Sequence, residues 1–195
     1  MNTKGFGKMA NVTLHPYGNA KETAAADGSW TYQCQHGEVE CQYNLMETCA
    51  LNLMASAKKS THTPFKFIHC VEARDSAANY EETATACAKE ANIDDVAALM
   101  TCMKGPQGNA LEHKQAQQIG ALSPPHTYVP YLVVDGVHSD AIQNAVGSNL
   151  LGYVCQNYKG DKKAAACDQE FEFSTEDMEV CYKDDIFTKV ETFLQ

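Results

Sequence analysis

Nine cysteines constrain the fold of this 195-residue chain more than any other feature of its sequence. No two of them form a C-x-x-C, and no close pair sets up the tetrahedron of a structural zinc site. The spacing therefore predicts a disulfide framework, no metal site and an oxidising compartment. The alternative is a cytosolic chain with nine free thiols. The nine residues are Cys34, Cys41, Cys49, Cys70, Cys87, Cys102, Cys155, Cys167 and Cys181.

The cysteine count is odd, so the nine residues cannot all pair with one another. We expect one cysteine to be unpaired, to form an intermolecular disulfide, or to pair with a residue outside this sequence. Many connectivities are compatible with the spacing, and the sequence selects none of them.

Composition indicates one globular domain, because 44% hydrophobic residues in a chain of this length suffice for a single core. The net charge of -10 opposes binding to nucleic acid or to an anionic membrane surface. No run reaches the ~18 apolar residues of a membrane span. We predict no cofactor.

The first ten residues contain no apolar stretch of the kind found in a secretory signal. This conflicts with the disulfide argument, and a mature or truncated form of the chain would resolve the conflict. Asn11 begins an Asn-Val-Thr sequon, which predicts glycosylation at Asn11 and a lumenal or extracellular location.

Periodicity and capping predict several helices. One begins at Glu38 and continues for about five turns, with apolar residues recurring at helical spacing. Asp140 is expected to cap a last helix. The other predicted helices span 80–90, 93–103 with Asn92 as N-cap, and 109–119 closed by Gly120.

Strand signals are fewer. Val12 and Leu14 alternate with polar residues and predict a short strand, whereas 20–33 is interpreted as a loop. An apolar run, an Asp-Gly turn and a second apolar segment predict a hairpin over 131–138. The segment 65–68 fits either a strand or the start of a helix.

The segment from Cys34 to Cys49 reads CQHGEVECQYNLMETC. It resembles the signature C-Q-H-G-x2-E-C-x2-N-x4-C of the gamma-interferon-inducible lysosomal thiol reductase (GILT) family, and all eight fixed positions are filled. Two other segments, 11–20 and 125–131, are also similar to this family.

This resemblance implies an α/β, thioredoxin-like fold stapled by disulfides, with a helical insertion at about 38–104. The domain would span 1–158, followed by an acidic peripheral tail at 159–195. The resemblance also implies a cis peptide at Val129–Pro130, whose backbone would bind an extended protein or peptide by strand addition.

Members of this family reduce protein disulfides in acidic endocytic compartments through a C-x-x-C between the first strand and the first helix. The resemblance places that motif before the segment matching Asn11, and this sequence contains no such pair. We therefore expect the first strand and helix to be missing or truncated, and we assign no catalytic residue. His36 is interpreted as a local hydrogen-bonding residue. Glu40 and Asn44 are expected to brace the disulfide region.

Three functions remain open. The first is a GILT-like lumenal protein, endolysosomal or secreted, that is redox-inactive in this form. The second is an active disulfide reductase whose C-x-x-C lies upstream of Met1. The third is a structural or binding subunit of a larger assembly. The sequence leaves open whether this chain is an enzyme.

Overall fold

The chain divides into two compact units in a computed structural model that describes residues 3–57, 62–74, 79–176 and 178–183. The larger unit comprises Leu14–Thr127 with Tyr182–Gln195, and the smaller comprises Met1–Thr13 with Tyr128–Cys181. The predicted boundary between residues 158 and 159 stays a prediction. Part of the predicted acidic tail, residue 177 and residues 184–195, lies outside the described residues.

Five helices dominate the larger unit. The longest, α1, contacts each of the other four, and their shared core is lined by apolar side chains such as Met46, Phe67 and Leu99. The helices are α1 (Glu38–Ser56), α2 (His62–Glu72), α3 (Tyr80–Glu90), α4 (Val96–Lys104) and α5 (Pro106–Gly120).

Two disulfides cross-link this core. Cys49–Cys102 joins α1 to α4, and Cys70–Cys87 joins α2 to α3. All four sulfur-bearing residues are at most 2% exposed. The cross-links therefore hold together helices that are also packed by burial of apolar surface.

Each predicted helix is present, but α4 and α5 begin at other residues than predicted. The segments predicted from Glu38 and at 80–90 are helical as expected. Helix α4 begins later than predicted because Asp95, not Asn92, accepts a hydrogen bond from a backbone N–H of its first turn. Helix α5 begins earlier, at Pro106, since proline suits the first turn, where no partner for its nitrogen is needed.

The loop predicted at 20–33 is wrong. This segment forms an antiparallel hairpin of β1 (Lys21–Ala24) and β2 (Trp30–Gln33). The signal was present in the sequence as the Asp27-Gly28 turn, where Gly28 has φ 86° and the Asp27 carboxylate accepts from Ser29. The segment at 65–68, left open between strand and helix, lies in α2.

The Asn109 side chain of α5 bonds to both backbone groups of Trp30 in the hairpin. The Asn109 side chain accepts from the Trp30 backbone N–H at 3.0 Å and donates to the Trp30 carbonyl at 2.7 Å. The Trp30 ring stacks on His113 of α5 with 3.8 Å between ring centroids. A second apolar cluster, which includes Tyr17 and Ala116, packs near this junction.

The smaller unit contains β3 (Tyr128–Val129) and α6 (Asp140–Asn157), and β4 (Cys181–Tyr182) completes a two-stranded sheet with β3. Ser139, not Asp140, caps α6 by accepting from the Ile142 backbone N–H. The Cys155–Cys167 disulfide ties the end of α6 to a short 3-10 turn.

Two strand predictions are corrected. The hairpin expected over 131–138 is reduced to a single bridge between Val134 and Val137 around the predicted Asp-Gly turn. Residues Val12 and Leu14 are described, and neither lies in a strand.

Within the ranges that the structure describes, the protein is a helix-dominated α/β chain with four disulfides and two two-stranded sheets. The thioredoxin-like arrangement, with a broad central sheet, stays a prediction. No helix in the same ranges is both long and apolar enough to cross a membrane.

Candidate functional site

The first disulfide of the cysteine-rich segment is a local staple. Cys34–Cys41 joins the residue that precedes α1 by four positions to the first turn of α1, across a Cα–Cα distance of 5.5 Å. Gly37 caps the helix with φ 94°, a value that strongly favours glycine. The pair therefore fixes the entry of the chain into α1.

His36 bonds to Glu40 within its own segment. Its backbone N–H donates to Glu40 Oε2 at 2.5 Å, and its Nδ1 lies 3.0 Å from the same oxygen. The His36 side chain is 60% exposed. This geometry agrees with a local hydrogen-bonding role, and it places the Glu40 carboxylate near the electropositive N-terminus of α1.

Amide side chains brace the turn that faces this staple. Asn44 donates to the Tyr17 carbonyl at 3.2 Å, and Asn19 donates to Gln35 Oε1 at 2.8 Å. Gln35 in turn donates to the Tyr182 carbonyl at 2.6 Å. Asn19 and Gln35 are 1% and 5% exposed, so these contacts satisfy polar groups that burial has removed from water. The bracing predicted for Glu40 and Asn44 thus extends to two residues that the sequence analysis did not single out.

Two buried carboxyl groups lie in the helical bundle and were not predicted. Burial raises the pKa of Glu112 to about 7, and the nearby Thr48 side chain opposes the rise. Burial raises the pKa of Glu47 well above its usual range, and the charges of Glu72 and Glu112 add to the rise. One signal was available, because Glu47 follows Tyr43 by one helical turn on the side of α1 that packs inward.

The proline segment of the smaller unit has the backbone predicted from the family resemblance, since the Val129–Pro130 peptide is cis. Gln143 of α6, 3% exposed, donates to the Pro130 carbonyl at 2.8 Å and accepts from the Leu132 N–H at 2.9 Å. One amide side chain thus holds the backbone on both sides of Tyr131.

An aromatic cluster surrounds the same segment. The imidazole of His138 stacks on Tyr131 with 3.7 Å between ring centroids and 21° between the planes. His138 Nε2 lies 3.1 Å from the Tyr128 hydroxyl, and Nδ1 lies 2.8 Å from the Leu132 carbonyl oxygen. The two tyrosines that flank Val129 and Pro130 are therefore both fixed by one histidine.

Three further residues could carry chemistry: Asn11, Cys181 and His126. Asn11 is exposed, as a glycan acceptor must be. Cys181 is half-buried in β4 and forms none of the four disulfides. His126 is 7% exposed, and burial together with Lys183 lowers the pKa of its imidazole. The described residues contain no group of three His, Cys, Asp or Glu side chains arranged to hold a metal ion.

Comparison of the sequence with known proteins gives one family. The family model "Gamma interferon inducible lysosomal thiol reductase (GILT)" matches residues 1–91, which include the staple and its bracing residues. A protein of that name from Carassius auratus is 38% identical over 161 residues, which cover 80% of this chain and 59% of the relative. The chain belongs to the GILT family.

Other GILT relatives agree. The mouse (Mus musculus) protein is 35% identical over 180 residues, covering 90% of this chain and 64% of its own length. The "Gamma-interferon-responsive lysosomal thiol protein" of Arabidopsis thaliana is 31% identical over 153 residues, covering 78% of this chain and 58% of its own length. The chain thus spans about three fifths of the length of the curated GILT relatives it matches.

Within this GILT chain, eight cysteines form disulfides between residues 7, 53, 17 and 12 positions apart. None of these separations is that of a C-x-x-C, in which the cysteines are three positions apart. The signature cysteines are therefore structural cross-links in this chain, and their sulfurs are engaged in covalent bonds.

Proposed function

We propose that this chain is the disulfide-braced, polypeptide-binding part of a GILT-type thiol-disulfide oxidoreductase, and that the 195 residues by themselves do not reduce disulfides. The substrate class is an extended segment of a disulfide-containing polypeptide. Its backbone would lie along the cis-proline segment, with Val129 and Pro130 as the contacting residues.

One observation carries this proposal. Reduction of a substrate disulfide requires an accessible thiolate and a second thiol that resolves the mixed disulfide. The eight cysteines in disulfides cannot supply that pair without opening the cross-links that hold the helical bundle and the entry to α1. Cys181 alone can supply one thiol and not two.

The proposal includes a thioredoxin-like arrangement around Pro130. One feature supports it: the helix that follows the proline segment, α6, whose Gln143 bonds to the Pro130 carbonyl and the Leu132 N–H. In such folds a cis-proline segment offers backbone groups to an extended peptide.

We also propose a lumenal location, endolysosomal or secreted, and glycosylation at Asn11. The four disulfides support it, because disulfides persist in oxidising compartments. The relatives from goldfish and mouse carry "lysosomal" in their names. A peptide N-glycosidase digest of the native protein tests this point, since an occupied Asn11 converts to aspartate and raises the peptide mass by about one dalton.

A second candidate function is that of an active disulfide reductase. It is favoured by the names of the relatives, which are thiol reductases, and by the share of their length that lies outside the match. This function requires a dithiol outside the 195 residues. A third, that of a binding or structural subunit, shares the peptide-binding step with the first.

The test is a reduction assay with a self-quenched peptide disulfide at about pH 5. A cysteine of low pKa still forms a thiolate at this pH and can attack the disulfide. The 195-residue chain is compared with the protein isolated from its source. The intact mass of the source protein after deglycosylation is measured in parallel.

We expect no turnover by the 195-residue chain above that of a Cys181→Ser control. Turnover by this chain that survives Cys181→Ser would overturn the proposal. A source protein of mass near 21.4 kDa that turns over substrate would overturn it as well. A heavier source protein with activity would support the second candidate for the complete molecule.

A further inference from the structure

The short strand β4 lies against the strand that leads into the cis-proline. It pairs with β3, and β3 ends at Val129, directly before Pro130. The N–H of Lys183, the residue after β4, donates at 2.9 Å to the carbonyl of Thr127, the residue before β3. Because the residue that follows one strand faces the residue that precedes the other, the two strands run antiparallel.

This alignment determines which residues of β3 and β4 face each other. The two residues that flank the strands form a hydrogen-bonded pair, and in antiparallel strands such pairs recur at every second residue. The next pair is therefore Val129 with Cys181. In this register the carbonyl of Tyr182 faces away from β3, and it accepts a hydrogen bond from the Gln35 side chain at 2.6 Å. The backbone of Val129 is thus turned towards β4.

The backbone groups that follow Val129 are held by side chains. Proline has no N–H, and the Pro130 carbonyl accepts from Gln143 at 2.8 Å. The Leu132 N–H donates to Gln143, and the Leu132 carbonyl oxygen lies 2.8 Å from His138 Nδ1. A polypeptide that pairs with the backbone of Val129 therefore needs the edge that β4 occupies.

The strand β4 is short and lies near the surface. It contains two residues, and short strands in a two-stranded sheet add little stability by themselves. None of residues 178–183 is buried. Release of this segment from β3 therefore exposes no buried side chain of its own, and another extended strand can take its place.

We propose that β4 is an internal occupant of the polypeptide-binding edge of β3, and that a substrate polypeptide binds by displacing it and pairing with Val129 as an extended strand. The inference rests on the proposed polypeptide-binding function and adds a self-occupied state to it. Only molecules with β4 released bind the polypeptide. The apparent dissociation constant is therefore the intrinsic constant divided by the released fraction.

The test measures the binding of three fluorescein-labelled peptides to the 195-residue chain by fluorescence anisotropy. The first peptide copies residues 178–183 with serine in place of the cysteine, so that no disulfide can form. The second is an unrelated six-residue peptide of threonine, valine and serine. The third is the first peptide with proline in place of that serine, which removes the N–H that would pair with Val129. We expect the proline peptide to bind about tenfold more weakly than the serine peptide.

Variants release β4 to different extents. Cys181→Pro removes the N–H that faces Val129, so we expect it to bind the first two peptides about tenfold more tightly than the wild-type chain does. Gln35→Ala removes the hydrogen bond to the Tyr182 carbonyl, and we expect a gain of about threefold. Gln156→Ala, at an exposed position of α6, is the matched control and should bind like the wild-type chain.

The outcomes distinguish this inference from the proposed function. Equal affinity of Cys181→Pro and the wild-type chain for the first two peptides overturns the inference, while polypeptide binding stands. A proline peptide that binds as tightly as the serine peptide also overturns it, because strand pairing depends on the backbone N–H. Failure of all three peptides to bind any variant counts against the proposed function, and the inference falls with it. If Cys181→Pro lacks the wild-type near-ultraviolet circular dichroism, Gln35→Ala decides the matter.

Discussion

Glu47 of α1 and Glu112 of α5 hold carboxyl groups inside the helical bundle, each with one buried oxygen that lacks a hydrogen-bond partner in the described part of the chain. The two residues are 4% and 2% exposed. Burial raises the pKa of both carboxyl groups, and for Glu47 the charges of Glu72 and then Glu112 add to the rise. The folded chain therefore favours the protonated acids.

Acidification is expected to stabilise the larger unit. A carboxyl group whose pKa is raised on folding binds more protons in the folded state, so the free energy of unfolding falls as pH rises. For Glu112 the fall begins near its ordinary value of 4.5 and ends near the folded value of about 7. We expect a loss on the order of 2–3 kcal/mol from this residue across that window, measured by urea unfolding at several pH values.

Glutamine variants identify the groups responsible. Glu112→Gln should reduce the pH dependence, because the amide has a similar shape and does not ionise, and the slope that remains is expected from Glu47. Glu38→Gln, at an exposed position in the first turn of α1, is the control and should leave the slope unchanged. A wild-type chain whose stability is constant between about pH 4.5 and pH 7 would contradict the assignment.

The sequence predicted α1 well because its apolar residues recur at helical spacing, and local spacing decides helix formation. It did not predict that Glu47 is buried, since that depends on how the other helices pack against α1. The segment 131–138 has the composition of a strand, yet side chains replace the expected strand partner. Gln143 bonds to Pro130 and Leu132, and His138 bonds to the Leu132 carbonyl. No short sequence pattern predicts that a side chain will take the place of a neighbouring strand as the hydrogen-bond partner.

The family signature predicted that its cysteines form disulfides, but it did not predict which cysteines they pair with. Cys34 and Cys41 pair with each other, whereas Cys49 pairs with Cys102, 53 positions away. Sequence spacing cannot select a partner across that distance, because the pairing follows from how α4 packs on α1.

Asn109 is expected to hold the β1–β2 hairpin on α5. Asn109→Ala removes both hydrogen bonds to the Trp30 backbone, and we expect a cost of about 1–3 kcal/mol from the unsatisfied groups. Trp30 is the single tryptophan of the chain, so its fluorescence reports the junction directly. Its emission should move to longer wavelength as the ring gains contact with water.

Asn109→Asp serves as the matched control for this junction. Aspartate keeps the acceptor for the Trp30 N–H and loses the donor to the Trp30 carbonyl, so its effect should lie between wild type and alanine. Hydrogen exchange of β1 and β2 amides gives an independent readout. Unchanged emission and unchanged protection in Asn109→Ala would show that other contacts, such as the Trp30–His113 stack and the Glu22–His113 hydrogen bond, hold the hairpin without the Asn109 side chain.

The two disulfides of the signature should differ in their contribution to stability. Cys49–Cys102 closes a loop with a sequence separation of 53, and Cys34–Cys41 closes one with a separation of 7. On the chain-entropy account, replacing the first pair by alanines costs about 4 kcal/mol and the second about 2.5 kcal/mol. Urea unfolding of the two double-alanine variants measures both. Equal costs would indicate that local packing, rather than loop closure, sets the contribution.

The disulfides should also open in a definite order under mild reduction. Reduction needs a thiolate to reach a sulfur atom along the S–S axis, so the rate depends on access. Cys41 and Cys167 are half-buried, whereas both partners of Cys49–Cys102 and of Cys70–Cys87 are fully buried. We expect the two pairs that contain Cys41 and Cys167 to be reduced at least about tenfold faster than the core pairs.

Dithiothreitol treatment without denaturant, quenching with N-ethylmaleimide and peptide mass spectrometry measure the order of opening. In high urea the folded-state protection is lost and the four rates should converge, which is the internal control. Early opening of Cys49–Cys102 would show that the bundle opens before the staple at α1.

Because the bundle carries Glu47 and Glu112, its opening should be slower at acidic pH than at neutral pH even after correction for the thiolate fraction of the reductant. If the corrected rate of reduction of the core disulfides did not change with pH, access to these disulfides would not depend on the ionisation of the buried carboxyl groups.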